Sequence, residues 1–181
     1  APAVDYPAPG QLPDAGDASC TLDVSLSSNG NPLNPVPVVV TTLPVTLEPA
    51  SENNTFATAV PIAVPSAVSG RIETEADIDC YAFDAKKDER ISIEVLARRN
   101  GSALDSIVRL LNDKGNPVIE NDDLRQWGRR TLQDSLIENW TVPADGRYTI
   151  EVRDVHLRGG AEYVYGLEIT RATPQFDLVM D

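Results

Sequence analysis

Residues 148–153 read YTIEVR, and the reading of this stretch decides the fold. Tyr148, Ile150 and Val152 alternate with Thr149, Glu151 and Arg153. Successive side chains on a β-strand point to opposite faces, so the segment offers one apolar face and one polar face. Residues 91–95, ISIEV, repeat the pattern with Ile91, Ile93 and Val95 on one side, and residues 163–169, YVYGLEI, repeat it again. Shorter segments of the same kind run from Asp79 to Phe83 and from Ser135 to Trp140. Trp140, Tyr148, Tyr163 and Tyr165 sit within these alternating segments and read as core.

Turn signals separate the segments: Asp88-Glu89, Asn100-Gly101, Asp113-Lys114-Gly115, Asp145-Gly146 and Gly159-Gly160. Residues 105–123, DSIVRLLNDKGNPVIENDD, show how such a signal works. The apolar run of Ile107, Val108, Leu110 and Leu111 is too short for a helix, and Asn112–Asn116 follows at once. Asx side chains hydrogen-bond their own backbone and glycine accepts positive φ, so this cluster closes a hairpin before Pro117-Val118-Ile119. Asp113 is then a turn residue, while Asp105, Asp122 and Asp123 stay open for chemistry. Many short strands with turns between them predict an all-β domain, an antiparallel sandwich. A single helical turn fits Thr55–Ala59.

The chain has 181 residues, 41% of them hydrophobic, enough for one packed domain and an appendage. The appendage is residues 1–47, where prolines cluster and two strand-like pieces, Thr21–Leu26 and Val38–Leu43, interrupt them. It reads as a Pro-rich N-terminal arm or as the last strands of a preceding β domain. The sandwich is expected over 48–172, and 173–181 as the start of a linker to a following domain. The start, Ala1-Pro2-Ala3-Val4, lacks the basic and apolar regions of a signal peptide and reads as a mature start or a boundary within a longer chain. A formal charge of −13 repels nucleic acid and anionic lipid, so neither is expected as a partner. No apolar run approaches the ~18 residues of a membrane-spanning helix. With His156 as the single histidine, Cys20 and Cys80 cannot complete a zinc site. They form either one disulfide in an oxidising compartment or two isolated thiols.

An ordered series of short motifs carries a resemblance. It begins with Ser51-Glu52-Asn53-Asn54-Thr55-Phe56-Ala57-Thr58-Ala59 and continues through Val68-Ser69-Gly70-Arg71-Ile72 and Asp77-Ile78-Asp79-Cys80-Tyr81-Ala82-Phe83. Leu104-Asp105, the Gly115 turn, Asn121-Asp122-Asp123 and Asp134-Ser135-Leu136 follow, then Gly146–Val152 and Tyr163–Ile169. From about Glu48 to Thr170 the chain resembles the bacterial pre-peptidase C-terminal (PPC) domain, related to the collagen-binding domains of bacterial collagenases. The resemblance implies a jelly-roll-like β-sandwich that is not itself catalytic and that belongs to a larger secreted or cell-surface bacterial protein. It also implies calcium held between an N-terminal linker and the sheet. Carried over, the linker ligands fall near Glu52, Asn53 and Asn54, and the sheet ligands near Asp77 and Asp79. Two positions depart from the family pattern. Pro49 and Ser51 stand where the first two linker acids fall, with Glu48 and Glu52 displaced to either side, and Ala76 stands where one sheet aspartate aligns.

Calcium takes six to eight oxygens from carboxylates, amides and carbonyls, and the chain offers two acidic groups for it. The first is Glu52, Asn53, Asn54, Asp77 and Asp79, where Asp77 and Asp79 share one face of a strand. The second is Asp105, Asp122, Asp123 and Asp134, which the sandwich connectivity could bring to one end. Both groups also read as turn-forming and edge-protecting residues. No spaced EF-hand loop occurs. His156 lies before a Gly-Gly loop with no nucleophile motif near it, so no catalytic residue is assigned and the chain is not expected to be an enzyme. Trp127, flanked by Arg125, Arg129 and Arg130, is suited to stack on a sugar or to anchor a protein partner, or else folds back over the sandwich edge. The functional expectation is a non-catalytic accessory module, binding calcium and contacting substrate, matrix or neighbouring domains of the same polypeptide. The alternatives are a spacer without ligand and a carbohydrate-binding module.

Overall fold

The computed structural model describes residues 19–28, 31–123 and 133–172. In chain order the strands are β1 (Ser19–Val24), β2 (Ser27–Ser28), β3 (Asn31–Pro32), β4 (Val36–Thr41), β5 (Val45–Leu47), β6 (Val60–Pro61) and β7 (Ser66–Arg71). They continue as β8 (Asp79–Ala85), β9 (Arg90–Leu96), β10 (Ser106–Leu111), β11 (Pro117–Asn121), β12 (Leu136–Thr141), β13 (Gly146–Asp154) and β14 (Val164–Arg171). Two single turns of 3-10 helix cover Phe56–Thr58 and Arg98–Asn100. Among the described residues no helix is long and apolar enough to cross a membrane.

Two five-stranded sheets form the expected sandwich, ordered β11-β10-β13-β8-β6 and β12-β9-β14-β7-β5. The chain changes sheet at nearly every connection. The β10–β11 hairpin is the exception, and its turn is built as the sequence indicates. Asn112 Oδ1 accepts the backbone N–H groups of Lys114 and Asn116, both at 3.0 Å, and Gly115 has φ 75°. The sheets are mixed rather than wholly antiparallel: β5 runs parallel to β7, and β6 parallel to β8. The cause is the weave. A chain that reverses direction each time it crosses to the other sheet returns after two crossings running the same way. These strands are only three and two residues long, too short to show any alternation in sequence.

Between the sheets the period-two reading holds. Ile91, Ile93 and Val95 on β9, Tyr148, Ile150 and Val152 on β13, and Leu167 and Ile169 on β14 are buried together with Tyr81 and Phe83 of β8. Fully burying each such side chain contributes roughly 1.5–3 kcal/mol, which is what holds the two layers face to face. Trp140 packs edge-on against Tyr148 with ring centroids 5.0 Å apart, an arrangement that suits the aromatic quadrupoles.

β1 and β4 pair as an antiparallel hairpin, two residues N-terminal of the strand pieces expected at 21–26 and 38–43. The hairpin lies over the outer face of the β7–β14 sheet. Ser19 Oγ donates to Glu168 Oε2 at 3.2 Å, and Thr21 Oγ1 to Asn100 Oδ1 at 2.9 Å. Cys20 and Cys80 are free. Cys20 belongs to this hairpin, outside one sheet, whereas Cys80 lies in β8 of the other sheet, on the strand face opposite Tyr81 and Phe83. Both layers of the sandwich separate the thiols. Burial pushes the Cys80 thiol up to about 12, so it is a neutral, inert group.

Candidate metal centre

Three segments meet at the edge of the sandwich beside β7 and β8: residues 48–54 after β5, the 72–78 connection, and the start of β8. The connection is shaped by Asp77, whose Oδ2 accepts the Glu73 N–H at 2.8 Å while its Oδ1 accepts the Ile78 N–H at 3.0 Å. Ala76 adopts φ 63°, which folds Glu73 back towards β8. On the other side Glu48 is pinned to β7. Its own N–H donates to Ser69 O at 3.0 Å, and its Oε2 accepts the Arg71 N–H at 2.8 Å. Asn53, buried, donates from Nδ2 to Glu48 Oε1 at 3.3 Å, and its carbonyl accepts the Cys80 N–H at 2.9 Å.

These anchors bring Glu48, Glu73 and Asp79 together, with one oxygen of each lying within 4.8 Å of the others. Among the described residues no other trio of His, Cys, Asp or Glu side chains converges in this way. A recess of about 160 Å³ opens beside them between 48–54 and Glu73–Asp77. Asp79 is fully buried. Its Oδ2 accepts the Tyr165 hydroxyl at 2.6 Å, and Tyr165 in turn shares a 2.8 Å hydrogen bond with the Tyr81 hydroxyl. Among the described residues Asp79 Oδ1 has no hydrogen-bond partner. Arg71 supplies the cation beside the trio, and only loosely, at 3.7 Å from Glu73.

Electrostatics follow from this crowding. Burial and the neighbouring Glu48 carboxyl push Asp79 up to about 9, against the opposing pull of the Tyr165 hydroxyl. Burial, and then the charge of Glu48, raise Glu73 as well. Burial and the Asp79 charge raise Tyr81 and Tyr165. Two facing carboxylates without a counter-charge cannot both stay ionised cheaply: either a proton or a metal cation must sit between them. An all-oxygen donor set without histidine or cysteine suits a hard cation such as calcium and disfavours zinc or copper.

The sequence-assigned residues fall as follows. Asp79 and Asn53 are in the cluster, and Asp77 shapes its wall. Glu52 and Asn54 line the recess from its exposed rim. Glu48, read from sequence as a displaced linker acid, occupies the centre, and Glu73 was not singled out. Glu73 stands four residues before Asp77 in a connection without periodicity, so only the Asp77–Glu73 turn reveals it. The second acidic group does not assemble. Asp134 is buried and saturated, its Oδ1 taking the Ala97 and Arg98 N–H groups and its Oδ2 the Arg99 N–H and Nε. Asp105 instead takes Gln133 Nε2 at 2.9 Å and lies 3.8 Å from His156, while Asp122 is exposed. Burial, the charge of Asp154 and, more weakly, that of Asp123 raise the Asp105 carboxyl. Trp127, Arg125, Arg129 and Arg130 lie outside the described residues.

No family model matches the chain, and no curated protein matches it. Among solved structures, the fold is similar to the pre-peptidase C-terminal domain of collagenase from Bacillus anthracis. Identity there is 17%, the match covers 62% of this chain and 94% of that one, and the TM-score is 0.46. The periplasmic inhibitor of g-type lysozyme from Aeromonas hydrophila is similar at 16% identity, with 71% and 98% coverage and a TM-score of 0.44. Its Salmonella Typhimurium counterpart matches at 14% identity, with 63% and 99% coverage and a TM-score of 0.37. The first of these is a domain of the kind that the motif series resembles.

Proposed function

We propose that this chain is a non-catalytic accessory module of a larger secreted or cell-surface protein, and that calcium binds between Glu48, Glu73 and Asp79. The observation that carries the reading is Asp79: a fully buried carboxylate whose Oδ2 is held by the Tyr165 hydroxyl, whose Oδ1 lacks a donor among the described residues, and which has two further carboxylates within 4.8 Å. A hard cation satisfies all three at once, with Asn53, Asn54 and backbone carbonyls of 48–54 at hand to complete the shell. Such an ion would fasten the segment after β5 to the 72–78 connection and to β8. Its role is therefore to hold the N-terminal approach to the sandwich in one geometry relative to neighbouring domains. Catalysis is not part of the reading. His156 is exposed, and its ionic contact among the described residues is the Asp105 carboxylate. Trp127, with Arg125, Arg129 and Arg130, is the stretch of sequence to substitute in a test for a protein or polysaccharide ligand.

Thermal unfolding in EDTA and in millimolar calcium tests the metal. A ligand held only by the folded state adds RT ln(1 + [L]/Kd), about 2.7 kcal/mol at a hundredfold excess over Kd. The melting temperature should rise with calcium in the native chain and stay fixed in Asp79→Asn and in Glu73→Gln. A native chain indifferent to calcium would leave the ligand-free spacer as the better reading.

A further inference from the structure

A second cavity, of about 270 Å³, lies between the β1–β4 hairpin and the outer face of β7, β14 and the end of β9. Its walls are mostly apolar, with Val38 and Val39 above and Ala67, Leu96 and Gly166 below. Its size sits just under the ~300–1,000 Å³ of ordinary small-molecule pockets, so it suits a compact ligand. Into it projects Glu168, which alternates with core residues Leu167 and Ile169 and so points away from the core. The hairpin covers it, leaving Glu168 only 7% exposed. Its hydrogen-bonding neighbours are the hydroxyls of Ser19 and Thr41. Among the described residues Glu168 Oε1 has no partner, and neither has Asn100 Nδ2 on the same lining.

A buried carboxylate wants a cation, and among the described residues no uncommitted one reaches it. Arg99 is the guanidinium whose charge reaches Glu168, but it is committed to Glu94 at 2.7 Å and to Asp134. An apolar chamber with one unpaired carboxylate oxygen discriminates in favour of an apolar molecule bearing a charged donor. We propose that this cavity is a binding site for a small aliphatic amine. The ammonium donates to Glu168 Oε1, and the alkyl body fills the space between Val39 and Leu96. Asn100 Nδ2 is placed to meet a hydroxyl or carbonyl on the same ligand. Ser19 and Thr41 would hold the carboxylate in place through their hydroxyls.

Amide NMR titration with n-butylamine tests the site, with n-butanol as the uncharged control. Saturable shifts should concentrate at Val38, Ala67, Leu96, Gly166 and Glu168. Losing a charged hydrogen bond of ~1.5–3 kcal/mol weakens binding about tenfold or more, both for n-butanol and for n-butylamine with Glu168→Gln. Val39→Phe, on the β4 face that carries Thr41 towards Glu168, fills the chamber and should abolish the shifts with the sandwich intact, so it decides the matter if Glu168→Gln fails to fold. Equal affinity for the alcohol and the amine would overturn the proposal and leave an apolar void. Absence of localised shifts at tens of millimolar amine would overturn it equally, leaving Glu168 hydrated by water alone.

Discussion

Gly70 shows how closely the candidate centre is packed. A Cβ there would fall 2.5 Å from the Tyr165 hydroxyl and 3.1 Å from Glu48 Oε2, so β7 must carry hydrogen alone where these two groups approach it. Gly70→Ala should cost roughly 1–3 kcal/mol by overpacking, read as a lower midpoint in denaturant, and should shrink the calcium-induced shift as Tyr165 and Glu48 are pushed apart. Gly146→Ala is the control, since nothing lies within 4 Å of its added Cβ. At this scale the sequence was only partly legible. Asp79 was singled out with Asp77 as alternate residues of one strand, but β8 starts at Asp79, and Asp77 belongs to the preceding connection, where it accepts the Glu73 and Ile78 N–H groups. Glu48 did not stand out, because its place depends on a parallel pairing of β5 that three residues cannot announce. Glu73 depends on the reversal at Ala76, a residue that sequence preference would not place at positive φ.

Among the elements, the 3-10 turn Arg98–Asn100 illustrates why the two acidic groups differ. Its backbone donors would be orphaned without Asp134, whose two oxygens receive three successive N–H groups and the Arg99 side chain. Asp134→Ala strips these donors of their acceptor and leaves Arg99 half-paired. A loss of about 2–4 kcal/mol is expected. The calcium-dependent shift should persist in this variant, and its disappearance would mean that the two acidic groups act together after all. The strands that define the fold, β9, β13 and β14, were legible because each presents one face to the core and one to the outside. β10 was less so: Ile107 and Leu111 are buried on the face opposite Val108 and Leu110, which blurs the alternation. The DKG hairpin was legible because Asn112 and Gly115 supply the local chemistry that the turn requires.

For the molecule as a whole, the centre couples stability to pH. In metal-free protein Asp79 holds its proton up to about pH 9, while the unfolded chain releases it near the ordinary value of 3.8. Between those values the folded state binds more protons, so stability falls as pH rises from about 4 to about 9. In the proposed complex, calcium would take the place of that proton. The melting temperature in EDTA should therefore decline from pH 5 to pH 9, and calcium should flatten or reverse the slope. Parallel slopes with and without calcium would mean that Asp79 is not where the ion sits. The weave of the chain has a mechanical consequence too. Val45 of β5 lies level with Ala67 of β7 and, through it, with Glu168 of β14, and β5 runs opposite to β14. The beginning of β5 and the end of β14 therefore emerge at one end of the sheet. A pull applied through flanking segments peels β5 from β7 one hydrogen bond at a time instead of shearing the pair together. Once the β1–β4 hairpin ahead of β5 is drawn off, the sandwich should open at this edge, and an ion clasping Glu48 to Asp79 would be the rivet at which the tear stops.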